Sequence, residues 1–336
     1  MKPPTRLTHI DNLRAVCLVL MVLGHCGLTL EEKNVIYSFH MPIFYFLAGL
    51  LYHGTKNAPV RYFLHKAKRL LLPYAAFVLI VYIVSFLILG KKGGGEALAN
   101  AFLYGTGIQG GGGALWFLPS LFATYVLAAL RHKLHINAAV CLIICMGEWY
   151  FLNENHYLLW FGFGTSGLFF FTLGEIWNAR SPRINEWLES KHKTLRTVLF
   201  LISLLAVYAF AMHWGGYPRN AVFNIKYMVS NPGMLLAAIA ACILLIEAFA
   251  RIHMPQWFNS VCSKISLHAI AIIGTHLLPI LIFKHYSLAR HMSHYAYISL
   301  LMLAEAVWLP IASYIIASFL PWLEGNWYKT NSHQQA

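Results

Sequence analysis

The chain has 336 residues, of which 59% are hydrophobic and 11% are charged, and its formal net charge is +13. Soluble domains carry about 25% charged residues, so this composition excludes a cytosolic enzyme, a disordered chain and a small disulfide-stapled domain. Because about 20 apolar residues span a bilayer, the length predicts an integral membrane protein with about ten spans.

Apolar segments divide the chain into ten predicted spans, which cover residues 10–28, 36–53, 70–90, 115–130, 137–152, 157–177, 197–214, 228–250, 265–284 and 294–320. With the N-terminus inside, 18 of the 25 Lys and Arg residues fall on the inner side and 7 on the outer side, as the positive-inside rule expects. We therefore predict an all-α polytopic membrane bundle with both termini cytoplasmic. It forms a single integral-membrane domain over residues 1–336, with its core at 10–320.

Neither the positive charge nor the cysteines indicate a nucleic-acid partner or a bound metal. Basic inner loops meet anionic membrane lipids, so the net charge does not indicate a nucleic-acid partner. Cys141 and Cys145 lie four residues apart, but no other Cys or His has the spacing to complete a zinc site. We expect no bound metal.

The predicted outer loop at 91–114 is rich in glycine. It lacks the Gly-Lys-Ser/Thr ending of a phosphate-binding loop, and its composition is typical of a flexible linker or lid.

The first span contains Asp11, Arg14 and His25, and polar groups inside a span are functional candidates because they are costly there. Asp11 and Arg14 are three residues apart and can pair on one helix face. Eleven residues, almost three turns, separate Arg14 from His25, so these two share a face about 16.5 Å apart along the axis. The alternative is that Arg14 snorkels to the inner interface and His25 hydrogen-bonds a neighbouring helix.

The spacing of Arg14 and His25 suits a coenzyme A thioester, which has an anionic nucleotide end and a long, nearly neutral arm. Arg14 would hold a phosphate at the inner mouth, and His25 would act as proton acceptor at the thioester. A second cationic segment contains Lys66 and Arg69 beside Pro73. It sets the topology as an inner loop, and it also offers cations to a bound phosphate.

Five motifs, in chain order, resemble the membrane-bound acyltransferase-3 family, in the style of its fucose 4-O-acetylase-like members. They are IDNLRAVCLVLMVLGH (10–25), FHMPIFYFLAGLLY (39–52), KAKRLLLPY (66–74), LWFLPSLF (115–122) and KISLHAIAIIGTH (264–276). Two positions depart from the family pattern: Ala48 replaces a serine, and Lys66 stands where the family has the first arginine of its Arg-x-x-Arg element. Lysine keeps the charge but loses the bidentate fork of arginine.

The resemblance implies an O-acyltransferase of the cell membrane, most simply the bacterial cytoplasmic membrane. It would move an acyl group, commonly acetyl from cytoplasmic acetyl-CoA, to a hydroxyl of a glycan or lipid-linked glycan acceptor across the membrane. Carried over by position, His25 is the catalytic residue, and Arg14, Lys66 and Arg69 contact the acyl-CoA. Direct transfer and an acyl-histidine intermediate both stay open, as do the acceptor, the acyl chain length and the oligomeric state.

Three further residues are candidates for substrate binding. Trp116 and His40 are candidate donors to the oxyanion. Trp116 also suits an interfacial anchor, and His40 suits either the acceptor side of the second helix or a helix cap. His276 lies inside the ninth predicted span, and the free-energy cost of an ionisable side chain there suggests a role in the site. Glu148 and Glu305 lie deep in spans too, and their roles are left open.

A proton-coupled transporter of a small polar solute is the alternative function, since buried Glu and His residues occur in such carriers. Against it, the sequence has no internal repeat and no paired broken helices. A purely structural subunit would leave Arg14 and His25 on one face unexplained. Binding of acyl-CoA distinguishes the enzyme from both.

Overall fold

The computed structural model describes residues 7–54, 59–88, 90, 95–104, 115–151, 161–189, 197–198, 201–203, 205, 209 and 232–325. Those residues form helices joined by turns and contain no β-strand. The helices are α1 (Thr8–His25), α2 (Leu30–Leu50), α3 (Pro59–Ile83), α4 (Gly95–Tyr104), α5 (Phe117–Lys133), α6 (Ala138–Phe151), α7 (Phe161–Glu189), α8 (Pro232–Arg251), α9 (Gln256–Leu267), α10 (Ala269–Thr275), α11 (Leu277–His285) and α12 (His294–Phe319). A π-helical turn extends α3 over Val84–Ile88, and 3₁₀ turns cover Leu288–His291 and Pro321–Glu324.

Within these ranges, three helices are long and apolar enough to cross a membrane: Val60–Phe86, Gly233–Arg251 and His294–Phe319. A fourth span results if α9 and the segment Ala269–His285, which are bent by 65° relative to each other, count as one. The predicted apolar segments that fall on described residues are helical, which confirms the all-α class, but the predicted span 265–284 is divided among α9, α10 and α11 by the 65° bend. The segment at 197–214 lies mostly outside the described residues. Ten spans and two cytoplasmic termini stay predictions.

The glycine-rich segment at 91–114 is not a continuous linker, because α4 forms in its middle over Gly95–Tyr104. Its sequence, Glu-Ala-Leu-Ala-Asn-Ala-Phe-Leu after Gly95, is dominated by Ala and Leu, which have high helix propensity. Phe102 of α4 contacts Tyr74 of α3 edge-on, with ring centroids 6.2 Å apart. The remaining glycines of the segment, at 91–94 and 105–114, lie outside the described residues.

Helices α2 and α7 cross with their backbones in direct contact, and glycines make this possible. A side chain at Gly49 would collide with the carbonyl of Phe171, and one at Gly174 would collide with the carbonyl of Phe46. Membrane helices associate mainly through close packing, so small residues at a crossing stabilise it. This contact places α2, which carries His40, in the centre of the bundle.

Replacing Gly174 with alanine is expected to destabilise the protein by about 1–3 kcal/mol, because an added methyl group in a filled crossing forces the helices apart. The matched control is Gly147→Ala on α6, where an added Cβ meets nothing within 4 Å. Without a clash, Gly→Ala in a helix is neutral or stabilising. Thermal unfolding in detergent should show a lower midpoint for the first variant only; equal midpoints for the two would contradict the crossing.

Candidate active site

The N-terminal end of α1 carries the pair predicted from the sequence. Arg14 Nη1 lies 3.9 Å from Asp11 Oδ1. Ser266, at the end of α9, joins them: its hydroxyl donates to Asp11 Oδ1 at 2.7 Å and accepts from Arg14 Nη1 at 3.4 Å. The Asp11 carboxylate is buried, whereas the Arg14 side chain keeps 31% of its surface exposed. Asp11 and Ser266 therefore orient a guanidinium that is still partly exposed.

Lys66 and Arg69 of α3 face the same region as Arg14. The charge of Lys66 lies within electrostatic range of both Arg69 and Arg14, so the structure brings the three predicted acyl-CoA contacts together. The Lys66 ammonium stands over the ring of Tyr125, 3.8 Å from its centroid, and 5.3 Å from that of Tyr62. Cation–π contact of this kind stabilises a lysine without neutralising it. We call Arg14, Lys66 and Arg69 the cation cluster.

Sequence reasoning did not find the aromatic side of the cation cluster. Tyr62 precedes Lys66 by one helical turn, so the contact between these two residues could have been predicted from the helix period. Tyr125 comes from α5 and Tyr52 from the end of α2, with ring centroids 6.4 Å apart. Their contacts depend on how separate helices pack, and no spacing in the sequence reports that.

The last described turn of the chain supports Arg69. Gly325 adopts a left-handed backbone (φ 73°), and a side chain there would collide with the Cγ atom of Arg69. The neighbouring Glu324 is buried and accepts a hydrogen bond from His268 Nδ1 at 2.5 Å. His268 is the residue between α9 and α10, so this contact joins the end of the chain to the 65° bend.

The C-terminal end of α1 carries a histidine pair, His25 and His276, with ring centroids 5.2 Å apart. His276 is fully buried, and its Nδ1–H donates to the carbonyl of Ile272 at 3.0 Å. Because a carbonyl only accepts, Nε2 of His276 carries a lone pair, and this atom has no hydrogen-bond partner among the described residues. The ring of His25 keeps partial exposure. The sequence named both residues, and the structure places them side by side.

His40 belongs to the same end of the bundle, within electrostatic range of His25. It is buried in the middle of α2, where its Nδ1–H donates to the carbonyl of Ile36 at 2.9 Å. Its predicted alternative role as a helix cap is wrong, because α2 begins ten residues earlier and is capped by Thr29. Tyr37 packs on His40, with ring centroids 5.0 Å apart, and donates to the carbonyl of Gly24 at 3.1 Å.

Two lysines that the sequence placed only in outer loops also belong to this end. Lys33 and Lys284 both lie within electrostatic range of His25. Positive charges near a reacting group stabilise negative charge that develops in a transition state. Neither lysine has a signal in the sequence that would connect it with His25, since Lys33 lies in α2 and Lys284 in α11.

Trp116 and the remaining candidates are less closely tied to His25. Trp116 is only 9% exposed and meets Phe117 edge-on at 6.4 Å, so it lies in the core, whereas an interfacial anchor would face the lipid headgroups. Its role as an oxyanion donor stays a prediction. The side chain of Glu148 lies outside the described residues. The part of the chain that the structure describes has no group of three or more His, Cys, Asp or Glu arranged for a metal.

Two segments of the chain connect the cation cluster with the histidine pair. Arg14 and His25 lie on α1, and Ser266 and His276 lie on the segment that runs beside it from α9 through α10. Ser266 meets Arg14 at one end, and His276 meets His25 at the other. The eleven-residue separation on α1 corresponds to about 16.5 Å. The site therefore offers cations at one end and imidazoles at the other, a geometry that fits an elongated ligand with one anionic end.

The described helices place cations at one end of α1 and imidazoles at the other, and comparison with known proteins identifies the family. A family model described as an acyltransferase domain, that of the acyltransferase-3 family, matches residues 7–322. The chain belongs to this acyltransferase family, which confirms the resemblance carried by its motifs. Curated proteins and solved structures gave no match. The family supports a transferase and gives no support to the transporter hypothesis.

Replacing Ser266 with alanine is expected to lower the free energy of unfolding by about 1–3 kcal/mol, because the buried Asp11 carboxylate loses a hydrogen-bond donor. Ser260→Ala, on an exposed position of the same helix, is the matched control. Thermal unfolding of both variants in detergent checks this. A Ser266→Ala midpoint no lower than that of the control would show that the contact with Asp11 does not stabilise the fold.

Proposed function

We propose that the protein transfers an acetyl group from cytoplasmic acetyl-CoA to a hydroxyl of a cell-surface glycan or glycan precursor. The observation that carries the proposal is the placement of the cation cluster and the histidine pair at opposite ends of α1. In this proposal the protein is a multi-pass protein of the cell membrane, most simply the bacterial cytoplasmic membrane. It meets its donor on the inner side and its acceptor on the outer side.

The donor fits the cation cluster by charge. Coenzyme A carries several phosphate charges at its nucleotide end, and arginine binds phosphate through two parallel hydrogen bonds. Arg14 and Arg69 supply such forks, and Lys66 adds a point charge. The pantetheine arm then extends along α1 and brings the thioester to His25.

The chemistry needs one base and one group that stabilises an oxyanion. His25 accepts the proton of the acceptor hydroxyl, and the hydroxyl oxygen attacks the thioester carbonyl. Lys33 and Lys284 favour the negative charge that develops on the carbonyl oxygen. When the carbon–sulfur bond breaks, the imidazolium returns its proton to the departing thiolate, so the products are the O-acetyl ester and free coenzyme A. A route through acetyl-histidine uses the same residue as nucleophile.

The test is acetyl transfer by the purified full-length protein in liposomes. Radiolabelled acetyl-CoA is enclosed inside or added outside, and glycan acceptors are supplied on the opposite face. The expected result is labelled acceptor, produced by the half of the protein molecules whose inner end faces the acetyl-CoA. Failure to bind or turn over any acyl-CoA would overturn the proposal.

A further inference from the structure

A cavity of about 580 Å³ lies between α1, α9, α10 and α12 and has no place in the chemistry above. Its walls are largely aliphatic, with Leu18, Val22, Ile272, Met302 and Leu309 among the lining residues. Along α12 the lining extends from Met302 to Ala317, which is about 22 Å at 1.5 Å per residue. The hydrocarbon core of a bilayer is about 30 Å thick, so the cavity has the length and the polarity of a lipid chain.

The cavity opens towards the bilayer. Three of its lining residues have large exposed fractions: 43% for Val19, 50% for Val261 and 71% for Tyr314. Tyr314 belongs to α12, which is apolar enough to span the membrane, so its exposed side faces lipid. An occupant therefore enters sideways from the bilayer. Acetyl-CoA, by contrast, approaches the cation cluster from water.

The largely apolar wall also contains Lys264, His268, Glu305, Ser313 and Tyr314, and of these Glu305 indicates that the occupant has a polar end. Glu305 is 1% exposed and lines the cavity, and neither of its carboxyl oxygens has a hydrogen-bond partner among the described residues. Buried polar groups are nearly always hydrogen-bonded, because burying a polar group without a hydrogen-bond partner costs free energy. A ligand with hydroxyl groups beside Glu305 would satisfy these oxygens.

The polar end of the cavity lies close to the reacting end of the site. Glu305 is within electrostatic range of Cys26, the residue after His25. On α1, Leu18 and Val22 line the cavity, and His25 follows them at helical spacing on the same face. The neighbouring Trp308 of α12 donates to the carbonyl of Thr275, the residue before His276, at 3.2 Å.

We propose that this cavity binds the hydrocarbon chain of a lipid-linked hydroxyl acceptor, whose head group donates a hydrogen bond to Glu305. The chain lies between α1 and α12, and it holds the head group at His25 while the donor approaches from the cation cluster. This inference rests on the proposed function, because it supplies the acceptor for that reaction. It goes further by assigning the lipid chain of that acceptor a binding site between α1 and α12.

Photolabelling tests the binding without requiring turnover. The probe is dodecyl β-glucoside with a diazirine in its chain, added to the full-length protein in nanodiscs, and labelled residues are mapped by mass spectrometry. Wild-type protein should be labelled at cavity residues such as Val22 and Leu309. Ala306→Trp, which fills the cavity, should lose this label, and Val307→Trp, on the neighbouring lipid-facing position outside the lining, should keep it.

Two matched probes decide between occupants. A diazirine phosphatidylcholine that labels the same residues equally well would make the cavity an ordinary lipid contact. A diazirine palmitoyl-CoA that labels them, and competes with the glucoside, would assign the cavity to a long donor chain. Either result, or no cavity labelling by the glucoside, overturns the inference.

A second readout is the rate of acetyl transfer to dodecyl β-glucoside relative to methyl β-glucoside. Ala306→Trp should lower this ratio by about tenfold or more, because the chain no longer positions the head group. Val307→Trp should leave the ratio unchanged. Cavity labelling in a protein that transfers no acetyl group would refute the proposed reaction alone, whereas transfer without cavity labelling would refute only the lipid-chain site.

Discussion

The His25→Ala variant is expected to lose acetyl transfer by a factor of about 10²–10⁴, the usual contribution of a general base. The reason is that His25, in the histidine pair at the C-terminal end of α1, is the residue that accepts the proton of the acceptor hydroxyl in the proposed reaction. The measurement is the rate of label transfer from acetyl-CoA in liposomes. Binding of acetyl-CoA should change little, because the cation cluster is intact.

His253→Ala is the matched control for His25→Ala, since His253 is an exposed histidine in the loop before α9. It should transfer acetyl at the wild-type rate. Transfer by His25→Ala at the wild-type level would contradict the mechanism. A loss of the folded protein, detected by size-exclusion chromatography, would assign the effect to stability instead, so His25→Gln, which keeps a polar side chain of similar size, is measured alongside.

The Arg14→Ala variant is expected to raise the KM for acetyl-CoA by about 10- to 100-fold, because a hydrogen bond to a charged group contributes about 1.5–3 kcal/mol. The kcat should change much less, since Arg14 is about 16.5 Å from His25 along α1. Steady-state kinetics at varied acetyl-CoA concentration separates these constants. Arg14→Lys should lie between the alanine variant and wild type, because it keeps the charge without the bidentate fork.

Arg290→Ala, at an exposed position of the 3₁₀ turn Leu288–His291, removes the same charge away from the cation cluster and should leave the KM unchanged. An Arg14→Ala enzyme with normal KM and reduced kcat would place Arg14 outside the donor site. Equal increases in KM for both arginine variants would indicate a general effect of net charge.

The motifs of the chain were sufficient to predict its family and the residues at each end of α1. Arg14 and His25 could be placed on one face because both belong to a single helix, whose period is known before any packing is considered. The family resemblance added Lys66 and Arg69, and the structure places both within electrostatic range of the same region as Arg14. The roles of these residues stay predictions that the kinetic experiments test.

Predictions that depended on the ends of helices or on packing were less successful. His40 was expected at the opening of α2, but Thr29 and Glu32 form a capping box that starts the helix ten residues earlier. The glycine-rich segment was expected to be a linker, and its Ala- and Leu-rich middle forms α4. Trp116 suited a membrane anchor by composition, and packing buries it in the core.

By itself, the sequence determined the all-α membrane class, the family, and the position of Arg14 and His25 on one helix, since these follow from composition, motif order and helix period. Only the tertiary structure decided that Ser266 meets Arg14 and that His276 meets His25, contacts that join residues about 250 positions apart. It also decided that Glu305 lines a largely apolar cavity between α1 and α12. Contacts between distant segments depend on how helix surfaces fit together, and local spacing does not encode that fit.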